Sequence, residues 1–334
     1  MSTRPGIRSA KILITFFLLM CGMALAQYPR PPLPGTQKQP TSNAQESNQD
    51  EQVPTFSVNV KLVNVFVTVL DQKGAPVGSL TKDQFKLCED GVPQKIAVFS
   101  RESELPLSIA LLLDVSQSTK KDLKLELESA RKFVHAIMRP QDALSLFQFS
   151  ENVDQLTKFT SSIKAVDSAL DRVHVGSATA LYDAVYLGSG ALARRDGRKV
   201  MVLITDGGDT FSSTDYQKAL RAAQESEAVV YSIIIVPIAS DAGRDLGGEH
   251  ALIQISQDTG GKHFYAEGAG QLDQAFQRVS EELRTQYLLA YYPSKKLSSS
   301  QFRRIRVELE APDVNNGPLV ARHRTGYYTS KDSF

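Results

Sequence analysis

Two periods of hydrophobic residues divide the chain. From Phe56 apolar side chains recur at every second position, first Val58, Val60 and Leu62, then Val63, Val65, Val67 and Val69 in the opposite phase. Such alternation predicts half-buried strands. The change of phase predicts a bulge or bend, because a one-residue slip moves the apolar set to the other face. A turn at Asp71-Gln72-Lys73-Gly74 leads into FKLCEDGVPQKIAVFS, where Asp90-Gly91 marks a second turn. Roughly three or four short strands do not bury both faces of a sheet by themselves. Similar patterns stand at the far end: QYLLAYY (286–292), FRRIRVELE (302–310) and LVARHRTGYY (319–328), with a turn at Asn315-Asn316-Gly317-Pro318. The reading is that segments 54–103 and 286–334 pair into one smaller β-rich domain, with the middle of the chain inserted between them.

The middle, residues 104–285, follows another rule. SIALLLDVS (108–116), KVMVLITDG (199–207) and VVYSIIIV (229–236) are continuous apolar strands, and ALSLFQFS (143–150) is a fourth. Between the first and the fourth, Leu123, Leu127, Ala130, Val134 and Ile137 recur at helical spacing on one face. Further expectations are an edge strand near 153–159, helices over 163–173 and from Leu181, a short strand at 262–268 and a last helix over 272–283. Apolar strands alternating with amphipathic helices predict an α/β fold, a doubly wound and mostly parallel sheet covered on both faces.

In such a sheet, ligands sit beyond the carboxyl ends of the strands. Two strands end there in carboxylates, Asp114 in LLLDVSQS and Asp206 in VLITDG, and a loop with GSATAL at 176–181 offers Thr179. If those strands are neighbours, Asp114, Ser116, Ser118, Thr179 and Asp206 converge, with no His or Cys among them. Carboxylate and hydroxyl oxygens are hard ligands suited to Mg²⁺, Mn²⁺ or Ca²⁺, whereas Zn²⁺ favours nitrogen and sulfur. Hydroxyls with only two carboxylates leave the ion residual positive charge, which an acidic group from a partner can take up.

Asp114-x-Ser116-x-Ser118 followed by Thr179 and the TDG at Asp206 resembles the metal-ion-dependent adhesion site of von Willebrand factor A-type domains, such as integrin inserted domains. The resemblance covers about residues 104–285, with all five positions in order. The wider layout, from VNVFVTVLDQKGAPVGSLTKDQF to a terminal GYY, is similar to secreted A-type proteins of acidobacteria. The resemblance implies a non-enzymatic, Mg²⁺-dependent protein-binding function. It puts Asp114, Ser116, Ser118 and Thr179 near the ion, with Asp206 often acting through water, and implies a protein ligand that offers an acidic side chain. Two other readings are a structural envelope protein stabilised by its metal, and a metal-assisted hydrolase. The second wants a nucleophile that Ser116 and Ser118, as ligands, cannot also be.

Charge and the N-terminus refine this picture. Arg4, Arg8 and Lys11 precede an apolar run ending in Ala24-Leu25-Ala26. That is the pattern of a cleaved signal peptide, residues 1–26, and the run falls short of the roughly 20 residues a membrane span needs. The expected location is therefore secreted, periplasmic or cell-envelope. Removing those three cations takes the formal charge from +1 to −2, which argues against a nucleic-acid partner, since that would want a basic stripe. Residues 27–53, rich in Pro, Gln, Ser and Asn, read as a disordered linker. Cys88 is then the single remaining thiol, so core packing rather than disulfides must stabilise the fold. No HExxH, GxSxG or P-loop pattern occurs. The loops at 208–214 and 237–250 leave the same sheet edge as the site and are its expected rim, and Asp209, outside the five-residue motif, is a further candidate to touch the ion.

Overall fold

A computed structural model describes residues 62–101, 105–236, 246–295, 301–310 and 317–329. The expected signal peptide and linker, and the change of strand phase before Val63, lie outside them. The described residues fall within one compact unit, Val58–Phe334. Among them no helix is long and apolar enough to cross a membrane.

The central sheet has six strands: β5 (Leu107–Asp114), β6 (Ala143–Phe149), β7 (Val153–Gln155), β8 (Arg198–Thr205), β9 (Val229–Ile235) and β10 (His263–Ala266). Their order is β10-β9-β8-β5-β6-β7, parallel throughout except for antiparallel β7 at the edge. All eight residues of β5 and all eight of β8 are buried, because both strands are central and both faces are covered. Side chains alternate between the two covers. Ile109, Leu111 and Leu113 pack with α1 (Leu123–Ile137), α2 (Ile163–Leu170) and α6 (Ala269–Thr285). Ala110 and Leu112 face α3 (Leu181–Ala193), α4 (Tyr216–Ser226) and α5 (Leu246–Asp258). Phe133 of α1 stacks on Phe276 of α6 with ring centroids 4.5 Å apart, so these two helices share one apolar seam.

The remaining strands are β1 (Val63–Leu70), β2 (Phe85–Glu89), β3 (Val92–Gln94), β4 (Ile96–Ser100), β11 (Tyr287–Tyr291), β12 (Phe302–Leu309), β13 (Val320–Arg322) and β14 (Gly326–Tyr328). They form two antiparallel sheets, β13-β1-β11-β4 and β14-β12-β2-β3. Val63, Val65, Val67 and Val69 point inward to Leu87, Tyr287, Leu289, Ile305 and Val307. The β2–β3 turn is tight because Asp90 and Gly91 both take positive φ, 48° and 79°. Inside, Glu89 receives Arg303 Nη1 at 2.5 Å, Tyr291 OH at 2.6 Å and Tyr327 OH at 2.8 Å. One satisfied carboxylate thus ties strands of both sheets together. The α/β layers meet this β part through buried polar contacts. Gln286 Nε2 donates to Thr68 Oγ1 (3.1 Å), Arg198 Nη2 donates to Gln286 Oε1 (2.7 Å), and Arg322 pairs with Glu282 of α6.

Several boundaries differ from the sequence expectation. β7 ends at Gln155 rather than near 159, because the register against β6 slips there: Leu156 N and Thr157 N both reach Leu146 O, and pairing resumes only at the Leu144–Thr160 bridge. α2 stops at Leu170, where Asp171 N and Arg172 N bond back into the last turn. The last helix begins at Ala269, so Gly270 lies within it. Residues 246–250, expected as loop, form the start of α5, while 237–245 lie outside the described residues. Their glycines suggested a loop, but Gly248 has a packing role: a Cβ there would stand 1.3 Å from Gly207 O. Close approach of two backbones, not chain freedom, requires that glycine.

Candidate functional site

The site is built from the carboxyl end of β5 outward. The strand order reverses at β5, whose next strand in sequence, β6, lies on one side while β8 lies on the other. Asp114, the last residue of β5, is fully buried. Its Oδ1 accepts Ser116 N (2.9 Å) and its Oδ2 accepts Thr205 Oγ1 (2.6 Å). Burial pushes this carboxyl up to about 6, against the hydrogen bonds of Thr205 and Ser116, with a further upward push from the charge of Asp206. Thr205 belongs to β8 and also accepts Gly207 N at 3.1 Å. A single hydroxyl therefore holds the loop of Asp206 to the carboxylate of Asp114.

Ser116 is buried and Ser118 exposed, and their Oγ atoms lie 3.0 Å apart. Thr119 Oγ1 fastens the turn by donating to Asp114 O (3.2 Å) and Ser116 O (3.0 Å). Adjacent ligands of an octahedral ion with bonds of about 2.0–2.1 Å stand about 2.9 Å apart. The two serine hydroxyls are hydrogen-bonded to each other, and the same separation is compatible with adjacent ligands of such an ion.

Thr179 arrives on a third loop, buried just before α3. Gly176 N donates to Val115 O (2.7 Å), and Ala180 N donates to Ser150 O (2.6 Å). Gly176 has no room for a side chain, since a Cβ would sit 2.2 Å from Ser150 Oγ. Glu151 Oε2 accepts Ser177 N (2.8 Å) and Ser177 Oγ (3.0 Å), and these bonds hold its carboxyl down at about 2. On the other side, Thr179 O accepts Thr210 N (2.9 Å) and Phe211 N (3.0 Å), while Thr179 N donates to Thr210 Oγ1 (3.0 Å). The loop of Thr179 is thus bonded both to the end of β5 and to the loop that follows Asp206.

Asp209 is occupied elsewhere: its Oδ1 accepts Ser212 Oγ (2.6 Å) and Tyr182 N (3.3 Å), pinning the 208–214 loop to the start of α3. Asp183 accepts Ser213 N (2.9 Å) and Thr214 N (2.8 Å) from the same loop. From this pinned loop Phe211 projects, 59% exposed.

Three further residues escaped the sequence reading. Thr205 and Glu151 carry no local signal. Glu126 does: it interrupts the apolar stripe of α1 and takes the buried position, leaving Leu127 only half-buried. Among the described residues, no three His, Cys, Asp or Glu side chains are gathered closely enough to hold an ion by themselves. The donor set here is of another kind, chiefly hydroxyls.

The sequence profile of the von Willebrand factor type A domain matches residues 108–278. No curated protein matches the chain in sequence. Among solved structures, BatB from Bacteroides thetaiotaomicron is similar at 18% identity over 54% of this chain and 100% of its own, with a TM-score of 0.43. The vWF domain of the type V pili tip protein Mfa5 from Porphyromonas gingivalis is similar at 11% identity over 53% of this chain and 94% of its own (TM-score 0.44). A von Willebrand factor type A protein from Catenulispora acidiphila reaches 10% identity over 81% of this chain and 75% of its own (TM-score 0.46).

Proposed function

Because the chain belongs to the von Willebrand factor type A domain family, we infer that it is a metal-dependent protein-binding module and not an enzyme. Asp114, Ser116, Ser118, Thr179 and Asp206 hold a divalent cation, Mg²⁺ first, with Mn²⁺ or Ca²⁺ as substitutes. One observation carries this reading. Three loops bonded to one another bring a hard-oxygen donor set to the carboxyl edge of the sheet, with the hydroxyls of Ser116 and Ser118 side by side, 3.0 Å apart.

When bound, the ion supplies a positive centre that an acidic side chain of a partner protein can reach. The chain's own residues prepare it. Thr205 and Ser116 N fix the orientation of the Asp114 carboxylate, and the bonds of Glu151 and Thr210 hold the Thr179 loop in place before any partner arrives. Preorganisation of this kind lowers the ordering cost of binding. Phe211, exposed on a pinned loop beside Thr179, gives the rim an aromatic contact for the partner. Export by the N-terminal signal sequence would present this surface outside the cytoplasm, secreted or within the cell envelope.

Isothermal titration of Mg²⁺ and Mn²⁺ into the wild type and Asp114→Ala tests the reading. Binding by the wild type and loss in the variant are expected. A wild type that binds neither ion rejects it. An EDTA-reversible pull-down then tests the partner, and capture unaffected by EDTA would reject the carboxylate-to-metal mode.

A further inference from the structure

α1 presents Leu123, Ala130, Phe133, Val134 and Ile137 to the core, and one member of the same buried face is Glu126, 2% exposed. Among the described residues, neither of its carboxyl oxygens has a hydrogen-bond partner. The charges that act on it are those of Asp114, Asp122 and Asp206. Two of these belong to the candidate cation site, and Asp122 precedes α1 on the same side of the domain. Burial, and these charges after it, push the Glu126 carboxyl up to about 8.

A carboxyl buried among carboxylates, with nothing donating to it, is strongly unfavourable unless a cation or a proton neutralises it. A glutamate gains little there from packing, since leucine or methionine would fill the same space without the desolvation cost. The first turn of a helix favours a negative charge, but that preference is met equally well on the exposed side. The burial needs a counter-charge, and the oxygen set that contains Asp114 and Asp206, whose charges Glu126 feels, is the place in the fold suited to receive one.

We propose that Glu126 is the third acidic group of the cation site, a positioning residue that acts on the bound ion from outside its direct ligands. The proposal rests on the reading of Asp114, Ser116, Ser118, Thr179 and Asp206 as that site. Glu126 stays outside the direct ligands because no three acidic groups are gathered tightly enough to share an ion among the described residues. Its charge completes the neutralisation of the ion. It therefore raises the affinity for the metal and moderates the pull of the ion on a partner's carboxylate. Acidic groups placed one layer beyond a metal's ligands commonly have this effect.

The test uses the full chain with Glu126→Gln and Glu126→Leu, which keep the side chain's length or the core's apolar volume. Calorimetric titrations with Mn²⁺ and with Tb³⁺ are compared, alongside melting temperatures in EDTA. In both variants Mn²⁺ affinity should fall about tenfold to a hundredfold. Tb³⁺ affinity should fall by a larger factor, because the lost term is a charge and scales with the charge of the ion. In EDTA, Glu126→Leu should melt above the wild type. Folded variants that bind Mn²⁺ within twofold of the wild type would overturn the role of Glu126 while leaving the site intact. Equal losses for both ions would show a structural effect and also overturn it. A wild type that binds neither ion would overturn the site and this inference together.

Discussion

A methyl group added at Gly248 probes the loop that carries Asp206. Gly248 lies in the first turn of α5, where a Cβ would stand 1.3 Å from Gly207 O, 2.4 Å from Gly207 C and 3.2 Å from Gly208 Cα. Ordinary contact begins near 3.4 Å, so α5 and the 206–208 loop must separate by about 2 Å to admit it. Gly207 holds φ at +99°, a conformation other residues rarely adopt, which restricts how that loop can rearrange. Its N–H also bonds to Thr205 Oγ1, the hydroxyl that holds Asp114. Displacement at Gly207 is therefore transmitted to both carboxylates of the site. Overpacking of this kind costs about 1–3 kcal/mol, a fall in melting temperature of about 2–4 °C per kcal/mol in a chain of this size. Mn²⁺ affinity should fall about tenfold or more, read by calorimetric titration. Gly270→Ala in α6 is the control, because none of the described residues lies within 4 Å of its added Cβ, and it should be neutral or slightly stabilising. If Gly248→Ala melts and binds Mn²⁺ like Gly270→Ala, the reasoning fails.

Glu151→Ala frees Ser177 and loosens the Thr179 loop; weaker Mn²⁺ binding with a nearly unchanged melting temperature is expected, and unchanged affinity would show that the loop needs no such tether. Arg303→Met leaves the buried Glu89 with two tyrosine hydroxyls but no cation, at a cost of about 3–5 kcal/mol in denaturant unfolding; a loss below about 1 kcal/mol would contradict the burial argument. In EDTA, stability should fall as pH rises from about 4.5 to about 8. Over that window folded Glu126 keeps the proton that its unfolded counterpart has released, so the stabilisation is complete below the unfolded value and is lost through the folded one. The shift corresponds to about 5 kcal/mol. Melting curves of wild type and Glu126→Leu that stay parallel over this range would refute it.

Much of the architecture is legible because burial leaves a local imprint. A strand covered on both faces must be apolar throughout, so LLLDVSQS shows both where β5 runs and where it stops. Helical spacing likewise locates α1, and a strand-end aspartate followed by alternating serines marks a turn rich in oxygen. Boundaries were less visible where the deciding contact is remote. Residues 246–250 look like a glycine loop, yet they are helix, and the glycine at 248 serves its close passage by the backbone of Gly207. The helical face of α1 was readable, but its spacing admits either Leu127 or Glu126 inward, and hydrophobicity alone favours the leucine.

By itself, then, the sequence determined the α/β layering, the alternation of the β segments and the kinds of oxygen offered at the ends of β5 and β8. Those follow from periodicity and composition, which act over a few residues. Only the tertiary structure decided that β1 lies between β11 and β13, that Thr205 is the link between the two aspartates, and that Glu126 is buried without a partner. Each of these joins residues far apart in the chain or depends on which side of a helix meets the sheet. Such choices are made by packing the whole core at once, and no local pattern records them.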